Sequence, residues 1–76
     1  MNIKNAVVLL DVMIKTLVDV FGLTYKGINF ELKSVYFDLT EKSEISDNEL
    51  LRASEAFLNF GLKMKIKRIT CDQNKQ

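Results

Sequence analysis

Between Lys63 and Arg68 the chain reads KMKIKR, and four of those six side chains are cationic. Alternate residues of a strand share a face, so Lys63, Lys65 and Lys67 form a row with Arg68 beside it. Such a row can follow the phosphates of a nucleic acid, and Tyr25 and Tyr36 would add stacking surfaces if they share its face. Lysines that guard a sheet edge against pairing with another chain produce the same pattern. The net charge of +1 favours edge protection, because a dedicated nucleic-acid binder carries a marked basic excess.

A second constellation is acidic. Asp38, Glu41, Glu44, Asp47 and Glu49 fall within twelve residues, relieved only by Lys42. They do not follow the alternating acidic pattern of a calcium loop. Two of them belong to a helix start, where the dipole favours negative charge. A solvated loop running into a capped helix is the ordinary reading. The functional one is a phosphate-mimicking loop that occupies a basic groove on a protein partner.

Catalysis finds little to work with. The chain has no histidine, hence no imidazole base and no Ser-His or Cys-His pair. The single cysteine, Cys71, excludes an intramolecular disulfide, and a structural zinc site has too few soft ligands. Lys67 and Arg68 lie close enough in sequence to lower the Cys71 pKa, but no residue is placed to orient the thiol, so a small residue at a strand end is the simpler reading. The three glycines, Gly22, Gly27 and Gly61, are isolated and form no phosphate-cradling loop. The expectation is a non-enzyme with no cofactor and no metal.

These residues must be positioned by short elements. Residues 3–21 read as a helix: Ile3, Val7, Leu10, Ile14, Leu17, Val18 and Phe21 follow helical spacing. Val8, Leu9, Val12, Met13 and Val20 widen its apolar face far beyond a normal stripe. Its charges, Lys4, Asp11, Lys15 and Asp19, form one thin line, with Lys15 able to pair with Asp11 and Asp19 for about 0.2–0.5 kcal/mol each. Gly22 is the natural stop. Next, Ile28, Phe30 and Leu32 alternate on one parity and Val35, Phe37 and Leu39 on the other. A two-residue turn at Lys33-Ser34 reconciles them, pairing Leu32 with Val35, Phe30 with Phe37 and Ile28 with Leu39. Lys-Ser is poor turn chemistry, so a β-bulge in one long strand competes with that reading. A short strand through Leu23 and Tyr25 is a further option.

A second helix opens at a capping box, Ser46 with Glu49, with Ile45 as the staple. It buries Leu50, Leu51, Ala53, Phe57, Leu58 and Phe60 and ends at Gly61. A last strand begins at Leu62, alternating Leu62, Met64 and Ile66 with the lysines. The expected fold is a single α+β domain over residues 1–71, followed by a frayed tail over 72–76. It is a two-layer sandwich, order α-β(β)-β-α-β, with a three- or four-stranded sheet and both helices on one face.

At 76 residues with 47% hydrophobic content, the chain has apolar residues enough for a core but is near the small end of what folds alone. The first helix is more apolar than a small sheet can cover. Its flank at Val8, Leu9, Val12, Met13 and Val20 is therefore the expected self-association surface, with a dimer favoured. Charge is uneven: residues 31–49 sum to −4 (two Lys against six acids) and residues 50–76 to +4 (six basic, two acidic). Asp11 and Lys15 interrupt the apolar start, which argues against a signal peptide or membrane span, and a lone free cysteine suits a reducing cytoplasm. Nine lysines against two arginines, with six each of Asn and Ile, have the flavour of AT-rich genomes and their mobile elements. The expected function is that of a self-associating, non-catalytic cytoplasmic protein-interaction module, a small regulator or inhibitor, of the kind that phages and mobile elements carry, acting on a macromolecular partner. The alternative is a nucleic-acid-binding accessory role through the basic strand.

Overall fold

The computed structural model describes residues 3–70, with side chains from Asn5 onward. Cys71, the tail and the Lys4 side chain lie outside the described residues. The elements run α1 (Ile3–Asp19), β1 (Thr24–Asn29), β2 (Ser34–Leu39), α2 (Asp47–Leu58) and β3 (Lys63–Arg68). They form a small α+β fold with a three-stranded mixed sheet of order β1-β2-β3. β1 and β2 are antiparallel, and β2 and β3 are parallel across the α2 crossover. β3 is thus an edge strand.

α1 stops two residues before the expected end, and Gly22 (φ +78°) turns the chain. The Gly22 and Leu23 N–H groups reach back to the Val18 and Leu17 carbonyls at 3.2 and 2.9 Å, which satisfies acceptors the helix end would leave open. The loop before α2 is tied to this corner. Ser43 Oγ donates to the Gly22 carbonyl at 3.0 Å, and the Glu44 N–H donates to the Phe21 carbonyl at 2.8 Å.

The hairpin differs from the expected Lys33-Ser34 turn. Its loop is four residues, Phe30 to Lys33, closed by the pair Asn29↔Ser34. Asn29 Oδ1 accepts the Leu32 N–H at 3.0 Å, and Lys33 supplies the left-handed residue at φ +53°. Lys-Ser has no residue suited to the two positive-φ sites of a two-residue turn, so the longer loop wins. Ile28 therefore faces Val35 instead of Leu39, and Tyr25 faces Phe37. Phe30 and Leu32 are left in the loop, 73% and 65% exposed. A β-bulge is present, but in β1, where Lys26 is the extra residue between Tyr25 and Gly27. Gly27 accommodates it at φ +118°, a region closed to residues with a Cβ. The inserted residue puts Tyr25 and Ile28, three apart, on one side of the sheet.

α2 begins as its sequence requires. Ser46 Oγ accepts the Glu49 N–H at 3.1 Å, and Glu49 Oε1 accepts the Ser46 N–H at 2.8 Å. The core joins Leu17 of α1, Leu23, Val35 and Phe37 of β2, Phe57 of α2 and Leu62, with Ile45, Leu50 and Ala53 packed around it. Phe37 stacks obliquely between Tyr25 and Phe57, at centroid distances of 5.7 and 5.9 Å. Two residues expected in this core are outside it: Leu51 and Leu58 are 57% and 55% exposed. Seven residues apart, they share a row roughly 100–120° around α2 from Phe57, beyond the reach of the sheet.

Candidate functional site

α1 is weakly held by the rest of the chain. Among its described side chains only Leu17 is buried, and its backbone approaches the sheet chiefly along β1. Val7, Val8, Leu9 and Val12, with Val20 just beyond its end, are 48–68% exposed. At 3.6 residues per turn these do not form one surface. Val8 lies roughly opposite Leu17, inside the polar line of Asp11 and Lys15, whose side chains pair at 3.7 Å. Val7 lies on one flank. Leu9, Val12, Thr16 and Val20 occupy the other, and Met13 is drawn inward against the core. The expected set of five therefore divides: Leu9, Val12 and Val20 form the open apolar flank, Val8 projects among charges, and Met13 belongs half to the interior.

That flank borders a groove of about 410 Å³ between α1 and α2. Its floor is Leu17 and Phe57, with Ala53 and Ala56 on the α2 wall and Val12 and Thr16 on the α1 wall. The two alanines leave space where larger residues would close the groove. Sequence reasoning missed this part, although an alanine pair at i, i+3 on the side of α2 that meets another helix is a readable signal of close approach.

The sheet face away from the core carries the second constellation. Register places Ser34, Tyr36 and Asp38 beside Lys63, Lys65 and Lys67, and the lysines are all exposed. Lys26 of the bulge joins them, its Nζ 4.0 Å from Asp38 Oδ2. Lys26, Tyr36, Asp38, Lys65 and Lys67 line one shallow depression. Two expected members are elsewhere. Arg68 pairs with Leu39, on the parity of Met64 and Ile66, and Tyr25 lies against Phe37 on the core side. Lys26 escaped sequence reasoning because its parity depends on the bulge.

The five acids do not converge. Asp38 stands in β2 against Lys26. Glu41 and Glu44 are exposed in the loop, and Asp47 and Glu49 occupy the first turn of α2. The backbone N–H of Ser46, then its hydroxyl, holds the Glu49 carboxyl below the ordinary glutamate range, with Arg52 adding to the effect. That carboxylate is committed to its helix. Among the described residues no group of His, Cys, Asp or Glu could hold a metal ion, and no helix is long and apolar enough to cross a membrane.

No family model, curated protein or solved structure matches the chain.

Proposed function

We propose that this chain is a non-catalytic interaction module that pairs with a second copy of itself through the Leu9–Val12–Val20 flank of α1, and in that form contacts a macromolecular partner as a small regulator. The observation that carries the reading is the poor cover of α1: one buried side chain among those described, against three large apolar residues of the open flank at 48–68% exposure.

A second copy suits this surface because the flank is self-complementary. The projecting residues and the groove lie side by side, so a two-fold axis sets the Leu9 and Val12 of each chain against the Ala53–Ala56 wall of the other. α1 is about 25 Å long, enough to cover roughly 600 Å² of apolar surface in a pair. That would contribute on the order of 15 kcal/mol before association costs of about 4–15 kcal/mol are subtracted. A domain this small gains from such cover.

The test is a pair of matched variants followed by sedimentation velocity. Leu9→Glu with Val12→Glu should give a folded monomer, since both positions are about half exposed and make little contribution to the chain's own core. Leu51→Glu with Leu58→Glu, on the far row of α2, should leave the dimer intact. The reading fails if the α1 variant keeps the oligomeric state of the wild type or if only the α2 variant changes it.

A further inference from the structure

We infer that the open face of the sheet binds single-stranded nucleic acid, with phosphates along the β3 lysines and a base stacked on Tyr36. This surface is separate from the α1 flank, so the inference stands whether or not the chain pairs.

Three observations converge on it. The first is spacing. Lys63, Lys65 and Lys67 are successive side chains on one face of β3, so their Cα atoms are roughly 6.6 Å apart along the strand, comparable with successive phosphates of an extended single strand. The second is the aromatic ring. Tyr36, in the central strand, has Lys65 as its register partner on one side and Gly27 on the other. Gly27 has no side chain to lay over the half-buried ring, and Lys26 of the bulge adds a further cation to the same depression. The third is the local balance of charge. Four lysines against the single carboxylate of Asp38 leave this face at +3, on a chain whose total is only +1. The sequence-wide charge thus hides a concentrated positive surface.

Cations flanking an aromatic platform on an open sheet match what a single strand requires, because every base has a face to stack and every nucleotide a phosphate to pair. Duplex DNA fits less well: its bases are already stacked, and among the described residues no helix or ribbon projects from this face into a groove. An acidic peptide would use the lysines and leave Tyr36 idle, which is the distinction to measure. Asp38 opposes a polyanion and holds Lys26 by its ion pair, so binding should be modest and strongly salt-dependent.

The experiment is fluorescence anisotropy with a labelled 15-nucleotide oligothymidylate, titrated with the intact chain at a series of salt concentrations. Three or four phosphate contacts predict a log–log salt slope of roughly −2 to −3. Lys65→Glu with Lys67→Glu should abolish binding, whereas Lys15→Glu with Lys42→Glu, which removes equal charge from elsewhere, should leave most of it. Tyr36→Leu, which keeps a bulky apolar residue in the strand, should weaken binding at least about fivefold with an unchanged salt slope, and Tyr36→Phe should preserve it. Circular dichroism of each variant confirms the fold. Absence of binding at low salt overturns the inference. So does equal loss in the two lysine pairs, which would mark whole-molecule charge, and so does a polyglutamate competitor as effective as unlabelled oligonucleotide, which would assign the face to acidic protein.

Discussion

Gly22 shows how one position can be constrained twice. Its φ of +78° lies where residues with a Cβ are strained, and a Cβ built there would stand 2.8 Å from the Lys42 carbonyl oxygen. The first constraint alone costs about 1–2 kcal/mol for an ordinary residue, and the second cannot be relieved by a side-chain rotation because the obstacle is backbone. Gly22→Ala should therefore destabilise the chain by about 2 kcal/mol or more, read from urea unfolding. It should also loosen the Ser43 and Glu44 contacts that tie the loop to the end of α1. A loss under about 0.5 kcal/mol would mean that the corner adjusts freely. Sequence reasoning read Gly22 as a helix stop, which is local information. The approach of Lys42, twenty residues on, depends on how two corners meet and has no local signature.

Among the elements, α2 was the most legible and the hairpin the least. Ser46 and Glu49 announce the start of α2 through two hydrogen bonds three residues apart, and the structure forms both. The hydrogen bond from the Ser46 backbone N–H stabilises the ionised Glu49, so its folded pKa is depressed. The associated stability is present above the ordinary glutamate pKa and is lost as pH falls through the lowered folded value. Titration of the Glu49 side chain by carbon-detected NMR should give a midpoint below that of a glutamate in an unstructured peptide. Ser46→Ala should move it only part of the way back, because the backbone N–H remains, while lowering stability by about 1 kcal/mol. A wild-type midpoint at the peptide value would contradict the cap. The hairpin was misread because alternation fixes only parity. One bulged residue, Lys26, reverses parity in β1, and a four-residue loop then replaces the two-residue turn. Tyr25 changes from a candidate stacking surface to a neighbour of Phe37, and Lys26 enters the basic face.

At the scale of the molecule, composition already implied a chain with more apolar helix than it can cover. The structure makes that surplus specific: Leu9, Val12 and Val20 border a groove walled by Ala53 and Ala56, while Val8 and Met13 have other surroundings. Other exposed apolar residues, Val7, Phe30, Leu32, Leu51 and Leu58 among them, are spread over the opposite flank of α1, the hairpin loop and the far row of α2. Val7 and Phe30 border a second groove of about 420 Å³; the account places the pairing surface on the other flank of α1, where Leu9, Val12 and Val20 lie together. Multi-angle light scattering of the wild-type chain at micromolar concentration tests this most directly. The account predicts a mass twice the 8.7 kDa of one chain, falling towards that of the single chain on dilution; a mass of 8.7 kDa throughout, with α1 folded, would contradict it.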